Sequence, residues 1–406
     1  MELNLDTIKK AQENIKKVVR KTPLFYTSTF SNKCNCNIYL KCENKQKTGA
    51  FKLRGAYNKL VNLTDEQKKR GVIASSAGNH AQGVAYAATA FNVKSTIVMP
   101  ETAPLAKVKA TRGYGAEVIQ SGQVYDDCYA KAVEVQKETG ATFINPFNDI
   151  DVMAGQGTIA LEVLEELPEA DCIIVPIGGG GLISGIATAA KSIKPSIKII
   201  GVQPEIIASS KASIEKGEVV TLPGAKSLAD GISVSTPGDK CFEYIKKYVD
   251  EIVTISEDEI AYGMFELMER NKLIAEGAGA SPLAALLAGK IKGMEGKNVV
   301  ALVSGGNVDI ATTAKIIERE LVLLKRRIRF SVELQDKEGT LGTLISEIGK
   351  MGGNVVTVRQ NNNWNEKGLD FADVLFEVTV PSEEHGDQIK NKLKESGYKL
   401  GSYKCI

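Results

Sequence analysis

Between about residues 5 and 320, short continuous apolar runs alternate with longer stretches of helical periodicity. VIAS (72–75), STIVMP (95–100), AEVIQS (116–121), CIIVPI (172–177), KIIGVQP (198–204) and NVVALVSG (298–305) are rich in Val and Ile, and several end in Gly, Ser or Pro. Such runs predict buried strands. AQGVAYAATAF (81–91), YDDCYAKAVEVQKETG (125–140) and GQGTIALEVLEEL (155–167) predict helices among them. Strands apolar on both faces, separated by helices, define an α/β protein with doubly wound parallel sheets. Ligands of such sheets sit beyond the carboxyl ends of the strands, where the chain turns into a helix. Near LVLLKRRIRF (321–330) the texture changes. IRFSVEL, NVVTVRQ, ADVLFEVTV and YKLGSYKC predict strands, with helices at about 339–351 and 384–395 and a loop at NNNWNEKG (361–368). This β-α-β-β-α-β order is ferredoxin-like.

The chain has 406 residues, with 51 basic against 49 acidic side chains, a balance that excludes an electrostatic nucleic-acid footprint. The start, MELNLDTIKKAQ, has no apolar core behind a basic end, so no secretory signal is predicted. The uncharged stretch Cys172–Ala190 approaches membrane-spanning length, but five glycines and Pro176 break it into strand, loop and helix. No membrane association is therefore expected. Seven cysteines, an odd number, fit reduced thiols in a cytoplasm. Cys34, Cys36 and Cys42 lack a fourth metal ligand, the only histidines being His80 and His385, so no metal site is expected.

Glycine is in excess, 38 residues, and clusters at strand ends. Gly178–Gly181 follow CIIVPI and precede LISGIATAA. Such a backbone can turn its amides towards an anion at a helix N-terminus, although tight strand–helix packing would need the same residues. Neither G-x-G-x-x-G nor G-x-x-x-x-G-K-[ST] is present, which argues against a dinucleotide or a P-loop nucleotide. SSAGNH (75–80) brings Ser75, Ser76 and Asn79 to another strand end; capping alone would explain them. SGGN (304–307) follows a third strand. Lys52 lies in TGAFKLRGA (48–56), among apolar and small residues, where desolvation or a nearby cation such as Arg54 would keep its amine neutral and nucleophilic. An amine nucleophile, a phosphate cup and polar strand ends together describe a pyridoxal phosphate site.

In order and wording, TGAFKLRGA, SSAGNHAQGVA, IGGGGLISG, EGAGA and VSGGN resemble the serine/threonine dehydratase family of tryptophan-synthase-β-like pyridoxal phosphate enzymes, over roughly residues 5–320. The tail resembles an ACT domain. The resemblance implies a two-subdomain catalytic domain over 1–320, with a small subdomain of about 45–150 inserted in the larger one, a linker at 321–329 and an ACT regulatory domain over 328–406. It implies pyridoxal 5'-phosphate held by Lys52 as a Schiff base, with Phe51 beside it. Asn79 would contact the phenolic oxygen, Gly178, Gly179, Gly180, Gly181 and Leu182 the phosphate, and Ser304 the ring nitrogen. Ser76, Gly78 and His80 would receive the substrate carboxylate, while Gly231 and Glu276 line the cleft.

The same resemblance implies deamination of L-threonine, with side activity on L-serine, in a homodimer or homotetramer. It also implies a branched-chain amino acid effector bound near Gly339. Racemases of the family carry a serine where this chain has Ala77, and acidic metal ligands where it has Gln203 and Ser209. Elimination is therefore expected rather than racemisation. The alternatives are an L-serine-selective dehydratase and an amino-acid sensor with an inactive body; retention of Lys52, Asn79, the glycine cup and Ser304 weighs against the sensor.

Overall fold

The computed structural model describes residues 2–361 and 370–402. It divides into two compact units, Met1–Asp309 and Ile310–Ile406. The division falls earlier than the domain boundary at 320 expected above. The stretch expected to be a linker, 321–329, is instead mostly regular: a helix spans Ile310–Leu323 and a strand begins at Arg327.

The first unit holds two sheets. In the larger, the strands run in the order Leu24–Tyr26, Asn37–Cys42, Asn298–Val303, Cys172–Pro176, Lys198–Pro204 and Glu251–Ile255. All pairings are parallel except the first, where Leu24–Tyr26 joins as an antiparallel edge strand. The expectation of purely parallel sheets is corrected at that edge. The second sheet, ordered Glu117–Gln120, Ser95–Met99, Val72–Ser75 and Thr142–Phe143, is parallel throughout and lies within the stretch 45–150. Its core joins Val72, Ala74, Ile97 and Met99 to Leu53, Val84 and Ala88 from helices Lys52–Val61 and Asn79–Ala90. The larger sheet packs Ile173, Val175 and Val300 against Ile159, Val163 and Ile186 of helices Ile150–Glu166 and Gly181–Ile193.

Arg54 does not lie beside the Lys52 amine. Its guanidinium is fully buried between Glu43 and Glu162, donating to Glu43 Oε1 and Oε2 (2.8 and 2.9 Å) and to Glu162 Oε1 and Oε2 (2.6 and 2.9 Å). Lys41 Nζ, also buried, donates to Glu162 Oε2 at 2.7 Å. Two cations and two anions thus balance one another, anchoring the helix that begins at Lys52 to Ile150–Glu166. The sequence reading of Arg54 as a depressor of the Lys52 amine is overturned, because its charge is already neutralised at contact distance.

The second unit contains a four-stranded antiparallel sheet ordered Asn354–Asn361, Phe371–Thr379, Arg327–Gln335 and Lys399–Gly401, with helices Thr340–Lys350 and Glu383–Glu395. Among the described residues, the chain order after helix Ile310–Leu323 is β-α-β-β-α-β. Alternate residues of Arg327–Gln335 (Ile328, Phe330, Val332 and Leu334) face a core completed by Leu344, Ile348, Phe376 and Leu393. Most of the loop expected at 361–368, and the end of the strand expected at YKLGSYKC, lie outside the described residues. Among the described residues, no helix is long and apolar enough to cross a membrane.

Candidate active site

A cavity of about 910 Å³ opens at the carboxyl ends of the strands of the first unit. Phe51, Lys52, Ser76, Gly78, Asn79, His80, Gly178 to Leu182 and Ser304 all line it, together with Ala77, Gly231 and Glu276. The structure brings every candidate residue of the first unit to one place, from segments more than 250 residues apart. Gly339 lies in the second unit.

Lys52 opens its helix directly after Phe51, whose backbone N–H donates to Ser304 O at 3.1 Å. The lysine loop and the Ser304 strand end are thereby tied together. The Lys52 ammonium lies 5.3 Å from the centre of the Phe51 ring and donates to Pro146 O at 2.7 Å. Burial brings its pKa from 10.5 down to about 8, with Cys241 and Glu276 pulling the other way. A lysine poised this way supplies a neutral amine close to physiological pH.

The glycine loop leads from strand Cys172–Pro176 into helix Gly181–Ile193. Gly180 has φ +98°, and a Cβ on Gly179 would lie 2.4 Å from Phe147 ring atoms. Close packing therefore requires glycine here, and the same bareness leaves the amides at the helix start uncovered towards the cavity. Close packing and an anion cradle ask for the same residues here. A phosphate fits such a cradle because its charge faces N–H groups and the positive end of the helix.

Ser75 ends strand Val72–Ser75, and helix Asn79–Ala90 begins at Asn79. The Ser76 hydroxyl accepts from Gly78 N–H at 3.2 Å. His80 Nε2 lies 2.8 Å from Ile144 O; a carbonyl only accepts, so this nitrogen carries the proton. Burial, with Lys52 adding repulsion, lowers the His80 pKa to about 3, so the ring is neutral. Its side-chain donor is spent on Ile144, which leaves only its backbone N–H for a carboxylate. The buried Ser75 Oγ and His80 Nδ1 have no hydrogen-bond partner in the protein. Of the two, the Ser75 hydroxyl could donate to an anionic guest, whereas the unprotonated His80 Nδ1 can only accept.

Pro146, Phe147, Lys107 and Asp230, which also line the cavity, carried no sequence signal. Pro146 and Phe147 hold Lys52 and floor the glycine loop from an Asn145-initiated turn, in which Asn145 Oδ1 accepts from the N–H groups of Phe147 and Asn148. Lys107, from helix Leu105–Gly113 beside the smaller sheet, meets Asp230 at 3.1 Å, and both line the cavity. Glu276, expected to line the cleft, occupies the N-cap position of helix Gly277–Leu287 without capping it through its side chain; burial, reinforced by Asp230, raises its carboxyl to about 7. Gln203 and Ser209 make protein hydrogen bonds, Gln203 Nε2 to Ile177 O and Ser209 Oγ to Val234 O.

Residues 15–305 match the pyridoxal-phosphate dependent enzyme family. Together with the lysine, glycine cradle and orphaned Ser75 hydroxyl, this places the chain in that family, and its cofactor is pyridoxal phosphate. The L-threonine ammonia-lyase of Thermotoga maritima is 46% identical over 398 residues, covering 98% of this chain and 99% of that protein. A catabolic L-threonine dehydratase of Staphylococcus aureus is 51% identical over 322 residues, 79% of this chain and 93% of its own. Among solved structures, maize serine racemase aligns with TM-score 0.75 and 38% identity, covering 80% of this chain and 99% of that one.

Proposed function

We propose that this enzyme is an L-threonine ammonia-lyase, converting L-threonine to 2-oxobutanoate and ammonia by β-elimination of the hydroxyl. The observation that carries the reading is the convergence of Lys52, the glycine cradle, Asn79 and Ser304 on one cavity. Similarity to the Thermotoga ammonia-lyase over nearly the full length of both chains supports threonine as the substrate. When bound, pyridoxal phosphate supplies an aldehyde that condenses with amines and a ring that accepts the electrons released at the amino-acid Cα.

The chain's residues hold and move the rest. Lys52 Nζ carries the cofactor and, once freed by the substrate amine, is the base for the Cα proton. Amides of Gly178 to Leu182 would hold the phosphate, and Asn79 would donate to the phenolic oxygen. Ser304 would present its hydroxyl to the ring nitrogen; being neutral, it would not hold a proton there as a carboxylate would, which would favour prompt loss of the β-hydroxyl. Ser76, Gly78 and the His80 N–H face the substrate carboxylate. Ala77 offers no second base, in keeping with elimination. Ala77→Ser is expected to release a trace of D-amino acid, and chiral chromatography showing none would remove Ala77 from that explanation.

Steady-state rates with L-threonine and L-serine test the assignment directly: a higher kcat/KM for threonine is expected, and a preference for serine overturns it. Cofactor capture by the cofactor-free protein gives a second check. Only the neutral amine attacks an aldehyde, so the capture rate should rise with pH through about 8, the lowered pKa of Lys52, rather than through 10.5. A stopped-flow profile still climbing linearly beyond pH ~9 would contradict the buried-amine account.

For the second unit we propose an ACT regulatory role, with a branched-chain amino acid received at the turn containing Gly339, in a homo-oligomer. Gly339 precedes helix Thr340–Lys350 with φ +83°, and an added Cβ there meets nothing within 4 Å. Valine would be strained by the backbone rather than by neighbours, whereas asparagine tolerates this conformation. Gly339→Asn should therefore keep basal activity while blunting any response to isoleucine or valine in saturation curves. Curves of the unaltered enzyme that do not move with either amino acid would sink the branched-chain assignment.

A further inference from the structure

Asn307 Nδ2 lies 2.8 Å from Thr48 O and 2.7 Å from Asn79 Oδ1. A backbone carbonyl can only accept, so the atom facing it is the Asn307 amide nitrogen, and its two protons are spent on Thr48 and Asn79. That fixes the next amide in turn. Asn79 presents its oxygen to Asn307, and its nitrogen donates to Glu276 Oε1 at 2.7 Å. One Asn79 N–H remains, on a side chain that lines the cavity. An isolated amide could turn over and present an acceptor there; this one is held from both ends.

The backbone makes room for the arrangement. Gly49 has φ +73°, and a Cβ on it would lie 2.3 Å from Asn307 Oδ1. A Cβ on Gly305 would lie 2.4 Å from Glu276 Oε1. The loops that carry these groups also bond directly: Gly306 N–H donates to Gly49 O at 2.9 Å and Glu276 N–H to Gly305 O at 3.1 Å. Glycines in T-G-A-F-K and S-G-G-N thus leave space for two side chains that both converge on Asn79.

We propose that Asn307 and Glu276 are positioning residues that lock the Asn79 amide with its free N–H aimed at the cofactor's phenolic oxygen. The proposal rests on the reading of Asn79 given above. Its signature is an inversion of the usual ranking of substitutions. Asn307→Ala releases Asn79 but leaves it free to donate. Asn307→Asp, nearly the same shape, sets an acceptor against both Thr48 O and Asn79 Oδ1. Asn79 then either keeps that clash or turns over, which sets its oxygen against Glu276 and the cavity, and in both cases the N–H aimed into the cavity is no longer held. The milder-looking change does more harm.

The test is pyridoxal phosphate affinity, with the visible absorbance band of the lysine-bound cofactor recorded without substrate. Asn307→Asp should weaken binding on the order of 10- to 100-fold, the worth of a hydrogen bond to a charged group, and displace the band; Asn307→Ala should do less. The ranking should persist with Glu276→Gln in the background, which restores the original number of carboxylates while keeping an acceptor for Asn79. Asn307→Ser, smaller but able to donate, should outperform Asn307→Ala and serves if the Asp variant does not fold. Affinity in Asn307→Asp equal to or better than in Asn307→Ala overturns the lock. It would leave the reading of Lys52 standing, since that is judged by loss of the band in Lys52→Ala. An Asn79→Ala variant with unchanged affinity and band would overturn both the Asn79 contact and the lock.

Discussion

Lys52→Ala is expected to lower threonine deamination by on the order of 10⁴-fold or more, since a general base alone is worth about 10²–10⁴ and this lysine also carries the cofactor. Neither Lys107, which lines the cavity, nor Arg54, which does not, substitutes for it. Lys107 is engaged with Asp230, and Arg54 is enclosed by two carboxylates. The fold should survive, because Lys52 contributes one hydrogen bond to Pro146 and a charge that burial disfavours. Thermal unfolding of the cofactor-free variant should match or exceed that of the cofactor-free parent. Deamination near the parental rate would show that another group does the chemistry.

Arg54→Ala should act on stability rather than on chemistry. It leaves Glu43 fully buried and removes one of the two cations serving Glu162. Breaking a buried pair in this way costs about 3–5 kcal/mol, a large share of the ~5–15 kcal/mol typical of a folded chain. The pH dependence carries its own sign. Burial pushes the Glu43 carboxyl up, but Arg54, helped by Thr22 and Lys41, more than offsets this and holds its pKa below 4.5. Its stabilising contribution is therefore present above pH 4.5 and lost as the pH falls through the lowered value. Without Arg54, burial dominates and the pKa rises, so the variant's deficit should be smaller at about pH 5 than at about pH 8. Denaturant midpoints at the two pH values measure this, and a deficit independent of pH would mean that Glu43 finds another partner.

What was legible in the sequence follows from how local each signal is. VIAS, KIIGVQP and NVVALV are strands because uninterrupted Val and Ile are buried on both faces, and each appears where its apolar run lies. NIYLKC is also a buried strand, yet Lys41 interrupts its pattern; what makes a buried lysine tolerable is Glu162, 121 residues away. Leu24–Tyr26 and Thr142–Phe143 are too short for any periodicity. At the site, the glycine cradle, Lys52 and Asn79 were legible because each sits in a compact local motif. Asn307 was not singled out, since its role exists only through Thr48 and Asn79. Arg54 differs from its expected role for the same reason: it neighbours Lys52 in the chain but not in space, because the helix turns its side chain towards Glu43 and Glu162.

Strand Asn298–Val303, the last of the first unit, inserts between Asn37–Cys42 and Cys172–Pro176 near the middle of the larger sheet. Until Asn298–Val303 has left the ribosome, the pair formed by Leu24–Tyr26 and Asn37–Cys42 has no neighbour to join it to the remaining strands. The nascent chain therefore keeps this sheet in two pieces and presents open β-edges for most of its synthesis, the circumstance in which chaperone capture and misassembly are most consequential. Ser304 and Asn307 arrive with that closing strand. If Ser304 contacts the cofactor as proposed, full cofactor binding would require the completed sheet, and pyridoxal phosphate would then favour the finished form.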